Sequence, residues 1–143
     1  MKEQFSRTQI LLGDEAMEKL SRARVAIFGI GGVGGYTAEA LARSGIGTLD
    51  LIDPDDVSST NINRQLLALH STVGQYKVDV AAARVRDIDP DTVVHCHNVF
   101  YLPENANEYD LSGYDYIVDA IDTVTAKLAL IDRAKAVGTP ILC

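Results

Sequence analysis

Arg64 and Lys77 lie downstream of a glycine-rich turn and of an aspartate, Asp53, at the end of an apolar run; Asp122 follows a later run of the same kind. An arginine offers phosphate oxygens a planar fork, and a lysine offers a compact charge. A carboxylate can hold a Mg²⁺ ion that bridges ATP phosphates. Two cations with a metal-binding acid suit a triphosphate better than a nicotinamide dinucleotide, which could rely mainly on a helix N-terminus and a ribose-binding acid. The chemistry implied is attack on an α-phosphate. A substrate carboxylate displaces pyrophosphate to give an acyl-adenylate, with Arg, Lys and Mg²⁺ stabilising the developing charge. No Ser-His-Asp or Cys-His constellation can be read from the chain, so catalysis would rest on positioning and electrostatics.

The elements that must hold these groups start with Arg24 to Asp53, RVAIFGIGGVGGYTAEALARSGIGTLDLID. Arg24 to Phe28 reads as a buried strand. Gly29, Gly31, Gly32 and Gly34 fall within a G-x-G-x-x-G turn, and Gly34, Thr37, Ala38 and Leu41 share one face of a helix. Thr48 to Ile52 is the next strand, ending in Asp53. This is the form of a nucleotide-binding βαβ unit: glycines for the tight turn and close approach, a helix N-terminus for an anion, an acid for ribose hydroxyls. A glycine-rich turn can also be only a turn, but the strand before it, the helix after it and the acid beyond favour a site.

The polar segment Pro54 to Gln65 is where a doubly wound fold places its ligand-contacting loop. Thr60 or Asn61 could cap a helical turn carrying Asn63, Arg64 and Gln65, and the same residues also read as a capped surface helix. Lys77 opens a helix whose Val78, Ala81, Val85 and Ile88 face the sheet. A lysine in the first turn opposes the helix dipole unless an anion lies nearby; the alternative is a solvated lysine. Thr92 to His97 is a third strand with His95 and His97 on one face and a buried Cys96 thiol on the other. No third metal ligand stands at a recognisable spacing from the two histidines. Tyr114 to Ala120 is the fourth strand, bringing Asp119 and Asp122 to the rim of the glycine loop. Asp122 can bind a metal or cap the next helix, whose inner face is expected from Val124, Leu128 and Ile131. Asp14 is expected to cap a short helix running to about Ala23, and a fifth strand follows Pro140. The alternation predicts an α/β, Rossmann-like doubly wound, mostly parallel sheet with helices on both faces.

At 143 residues and 47% hydrophobic composition the chain fits one domain with a real core. No stretch is apolar for long enough to span a bilayer, and the start is no signal peptide. Cys96 and Cys143 form no framework, which fits a reducing, cytoplasmic setting. A net charge of −7 argues against binding nucleic acid through the whole surface, leaving a local basic patch as the route. The apolar run at the end of the chain leads us to expect the N-terminal part of a longer protein.

The spans GIGGVGG, AEALARSGIG, LIDPDDVSSTNINRQ, TVGQYK and DAIDT resemble the adenylating domain of the ubiquitin-activating-enzyme-like superfamily, from Phe5 to Cys143. AEALARSGIG and TNINRQ are most similar to its bacterial tRNA threonylcarbamoyladenosine dehydratase branch. The resemblance implies that Gly31 lies against the nucleotide and that Asp53 binds the ribose. It implies that Asn61, Arg64 and Lys77 hold the phosphates, with Asn63 and Gln65 in the same motif, and that Asp122 holds Mg²⁺. Arg7 matches an arginine that in relatives reaches into the partner protomer's site, which implies a homodimer. In that branch ATP activates the carboxylate of the threonylcarbamoyl group on adenosine 37 of tRNA, and ring closure follows with net loss of water. A cysteine desulfurase system is associated with some members. Adenylation of a ubiquitin-like sulfur carrier is the alternative within the superfamily. An NAD-dependent oxidoreductase or a non-catalytic dimerising domain is the alternative outside it.

Overall fold

The computed structural model describes residues 2–143. β1 (Arg24–Phe28) lies between β2 (Thr48–Ile52) and β4 (Tyr116–Asp119). β3 (Val93–His97) flanks β2, and β5 (Ile141–Leu142) flanks β4. The order is β3-β2-β1-β4-β5 and every pairing is parallel, so the sheet is the doubly wound, Rossmann-like one expected. Alternation along β1 divides the core. Val25 and Ile27 pack with Ala38 and Ala42 of α3 (Gly34–Ser44) and with Val78, Ala81 and Val85 of α4 (Lys77–Ile88). Ala26 and Phe28 pack on the other face with Ala126, Leu130 and Ala134 of α5 (Val124–Val137). The central strand β1 is apolar on both sides from Val25 to Phe28 because both faces are covered.

The chain winds outward from β1 to β3, then crosses back to β4 on the other side of β1. The crossing segment holds two single turns of 3₁₀ helix, Ala106–Glu108 and Leu111–Gly113, which bury Ala106 and Leu111. Reversal of the winding direction opens a crevice beyond the carboxyl ends of β1 and β4, where such folds hold ligands. Before β1 come α1 (Ser6–Leu12) and α2 (Asp14–Arg22), of which α1 buries none of its residues.

Three local expectations fail. The inner face of α5 is Ala126, Leu130 and Ala134, while Val124 and Leu128 are 67% and 57% exposed. Apolar and charged residues are interspersed around that helix, so periodicity offers more than one face; the small alanines win because they let the helix approach the sheet. Asp14 is the first residue of α2 and not its cap, since Gly13 occupies that position with an extended ψ. Cys96 is exposed, because β3 is the outer strand of the sheet and its thiol lies at the edge, 3.5 Å from the Val78 carbonyl.

Inside the sheet, Asp50 is wholly buried at the centre of a polar network. Arg24 donates to its two oxygens at 3.0 and 2.9 Å, Tyr114 donates its hydroxyl at 3.1 Å, and His97 Nε2 lies 3.1 Å away. The guanidinium also stacks 5.0 Å from the Tyr114 ring centre. Burial pushes the Asp50 carboxyl up, but the hydrogen bonds from Arg24 and His97 outweigh it and the net direction is down. Burial and the neighbouring carboxylate push the Tyr114 phenol up to about 12.

Candidate nucleotide site

Segments following β1, β2, β3 and β4 enclose a cleft of about 630 Å³ at the crevice. Its floor is the glycine loop. Gly29 has φ +93°, and a Cβ there would stand 2.4 Å from the Ala120 carbonyl. A Cβ on Gly34 would stand 1.7 Å from the Gly29 carbonyl, so Gly34 lets the first turn of α3 close onto the loop. These two glycines shape the turn. Gly31 and Gly32 serve differently: both line the cleft, and a Cβ would reach only ordinary contact with Gln65 at Gly31 and open space at Gly32. Among the described residues, the N–H groups of Gly31, Gly32 and Val33 have no acceptor. Free amides at the start of a helix favour an anion.

Asp53, buried at the end of β2, accepts the Ile30 amide at 2.7 Å on one oxygen and the Asp55 amide at 2.8 Å on the other. It therefore ties β2 to the glycine loop, a bond no sequence spacing announced. Each oxygen retains a lone pair for a ligand hydroxyl.

Ser58, and not Thr60 or Asn61, caps the turn Ser59–Asn61. Asn61 completes the cap by accepting the Ser58 amide at 2.9 Å and lies outside the cleft wall. Asn63 is also outside the wall, its carbonyl oxygen accepting from Arg64 at 2.9 Å. Arg64 itself lines the cleft, and a further bond to the Thr60 carbonyl at 3.1 Å steadies it. Gln65 lies beside it in the wall.

Lys77 is the most informative cation. The whole residue is 6% exposed, it lines the cleft, and its nearest acid, Asp55, is 4.0 Å away and largely solvated. A buried ammonium is costly unless paired, so this one calls for an anion.

The fourth wall carries Asp119 to Thr123. Asp122 is exposed to the cleft and its carboxylate accepts no hydrogen bond among the described residues. Asp119 is buried; one oxygen accepts the Ile121 amide at 3.1 Å, and the Lys127 ammonium lies 3.0 Å from the other. That ammonium stands off the hydrogen-bonding direction, so Oδ2 is close to a charge yet has no aligned donor. Sequence reasoning missed Lys127, whose link to Asp119 crosses a loop and follows no helical or strand period. It also missed Val99, Phe100, Tyr101 and Leu102, which close the cleft above β3, with Phe100 61% exposed. An apolar run in a connection without regular structure was the available signal.

Eight of the expected site residues thus line one cleft: Gly29, Gly31, Gly32, Asp53, Arg64, Gln65, Lys77 and Asp122. Gly34 supports the loop from behind, Asn61 and Asn63 brace the Arg64 turn, and Arg7 stands exposed on α1, away from the cleft. Among the described residues no three acid, histidine or cysteine side chains gather as a metal site. An ion at Asp122 would take its remaining ligands from phosphate oxygens and water, as Mg²⁺ commonly does.

A parallel sheet with a glycine loop, a strand-ending acid and a buried cation at its switch point defines a Rossmann-like nucleotide-binding domain. The chain belongs to the ThiF family, whose profile matches residues 5–143. It is 46% identical over 142 residues to the tRNA threonylcarbamoyladenosine dehydratase of Bacillus subtilis (strain 168), covering 99% of this chain and 56% of that protein. It is 43% identical over 141 residues to the protein of the same name from Escherichia coli (strain K12), covering 99% and 53%. A crystal structure of the E. coli tRNA N6-threonylcarbamoyladenosine dehydratase, TcdA, in complex with ATP superposes with a TM-score of 0.94 at 44% identity, covering 97% of this chain and 57% of that one. The chain spans about half the length of the curated relatives it matches.

Proposed function

We propose that the cleft binds ATP and adenylates a carboxylate, and that the protein is a tRNA threonylcarbamoyladenosine dehydratase acting on its modified adenosine. The observation that carries this reading is Lys77, a buried ammonium without a close acid, facing the same cleft as the unpaired amides of the glycine loop. In this reading the triphosphate supplies the missing counter-charge. Gly31 and Gly32 amides, Arg64 and Lys77 hold phosphate oxygens, Gln65 packs beside the loop, and Asp53 accepts from the ribose hydroxyls. Asp122 holds Mg²⁺, which when bound neutralises phosphate charge. The positive groups stabilise the charge that develops as the substrate carboxylate attacks the α-phosphate. Asn61 and Asn63 contribute through the Arg64 turn. Arg7 reaches the site of a second copy, making the working unit a homodimer in the cytoplasm, with a cysteine desulfurase system as a further partner. The dehydratases named above, one of them in a structure with ATP, support the choice of substrate.

The test uses intact protein incubated with ATP, Mg²⁺ and tRNA carrying threonylcarbamoyladenosine, followed by digestion and mass analysis of the nucleosides. A product lighter by one water, absent with Arg64→Ala, is the expected result. No conversion, together with pyrophosphate exchange that depends on a protein ending in Gly-Gly, would move the substrate to a sulfur carrier.

A further inference from the structure

The pair formed by Asp119 and Lys127 is the feature of the cleft that the adenylation scheme leaves unused. Asp119 is opposite Phe28 in the β1–β4 register, at the residue before the glycine loop begins. It is therefore at the centre of the switch point. Its side chain is fully buried, while the Lys127 side chain on α5 keeps 31% of its exposure. The partner that holds Asp119 is thus the solvent-reaching member. Both residues line the cleft together with Asp122. A buried carboxylate normally collects aligned donors. Asp119 has one, the Ile121 amide, on Oδ1, whereas Oδ2 has a charge at 3.0 Å without an aligned donor. A divalent cation needs no N–H direction and would satisfy that oxygen.

We propose that Lys127 is an exchangeable counter-ion: it neutralises Asp119 while the cleft is empty, and yields Oδ2 to the divalent cation that arrives with the nucleotide. Asp119 then serves as a second carboxylate ligand beside Asp122. This rests on the nucleotide reading above and deepens it. The exchange keeps the Asp119 carboxylate beside a positive charge throughout, since the ammonium leaves as the divalent cation enters, and the cation's extra charge is met by the phosphates. It also makes tight metal binding conditional on the nucleotide, because without phosphates the lysine holds the place.

The test reads metal binding directly, with Mn²⁺ as the probe, by the resonance signal of the free ion and with intact protein. Wild type without nucleotide should bind Mn²⁺ weakly. Lys127→Met, which keeps the length and removes the charge, should bind it at least about tenfold more tightly without nucleotide. Lys127→Arg should stay at the wild-type level, and Lys127→Met with Asp119→Asn should return to it. Asp119→Asn alone, which frees the Lys127 ammonium toward the phosphates, should bind ATP without metal at least as tightly as wild type and weaken the tightening that Mn²⁺ confers; this arm stands even if Lys127→Met fails to fold. Unchanged Mn²⁺ affinity in folded Lys127→Met, or full tightening by Mn²⁺ in Asp119→Asn, would overturn the proposal. Absence of ATP binding by wild type would defeat the nucleotide reading instead, and the nucleotide-free comparison of Lys127→Met with wild type would still decide the exchange.

Discussion

Two glycines of the same turn, Gly32 and Gly34, should respond to alanine in opposite ways. A Cβ on Gly34 falls 1.7 Å from the Gly29 carbonyl oxygen, where ordinary contact begins at 3.4 Å. Either the loop or α3 must shift by more than an ångström in a close-packed interior. Such overpacking belongs with the most damaging substitutions, at least about 4 kcal/mol. At roughly 3 °C per kcal/mol for a domain of this size, thermal unfolding should fall by about 12 °C or more. On Gly32 the same methyl meets nothing within 4 Å, and stability should change by less than about 0.5 kcal/mol. The methyl would, however, stand where an anion must approach the free amides. Losing one charge-assisted hydrogen bond removes about 1.5–3 kcal/mol, a roughly 10- to 100-fold weaker affinity for ATP. Calorimetric melting and ATP titration of intact protein read both numbers. Wild-type ATP affinity in Gly32→Ala would refute the loop as the phosphate site, and a wild-type melt in Gly34→Ala would refute the packing argument.

Lys77→Met should weaken ATP binding at least about tenfold while leaving the melting temperature unchanged or raised, because it removes a buried charge whose nearest acid is 4.0 Å away; equilibrium titration and a melt decide it. Leu130→Ala, on the buried face of α5, should cost about 2–5 kcal/mol in denaturant unfolding, whereas Leu128→Ala on the exposed face should cost far less. Asp50 is held below its ordinary pKa in the folded state, so its stabilisation is complete above the unfolded value near 3.9 and is lost as pH falls through the folded one. Asp50→Asn should therefore lower stability by about 1.5–3 kcal/mol at neutral pH and flatten the acid limb below about pH 4, measured as urea midpoints across pH 3–7.

What the sequence made legible was whatever depends on neighbours close in the chain. The β1–loop–α3–β2 unit announces itself through an apolar run, glycine spacing and a terminal acid within 30 residues, and it folds as read. The parallel order follows from alternating strands and helices. α5 was misread because two apolar stripes satisfy the same period, and only contact with β1 and β4 selects the alanine-rich one. Asn61 and Asn63 could not be separated from Arg64 by type or spacing. Which of these polar residues enters the cleft depends on how Ser58 caps the turn.

The sharper case is Asp50 and Asp53, three residues apart, one within β2 and one just after it. In sequence the first is an acid inside an apolar run and the second an acid at its end. The fold gives Asp50 an arginine, a histidine and a tyrosine from β1, β3 and the approach to β4, and so satisfies it within the chain. Asp53 receives only two backbone amides, from the loop it anchors and from the residue two beyond it. A carboxylate wholly occupied by side chains is fixed and structural. One that is oriented by main chain and still open toward a cleft can recognise a ligand. The distinction lies in which partners arrive from elsewhere in the chain, and it separates the two acids more surely than their burial, which is nearly the same.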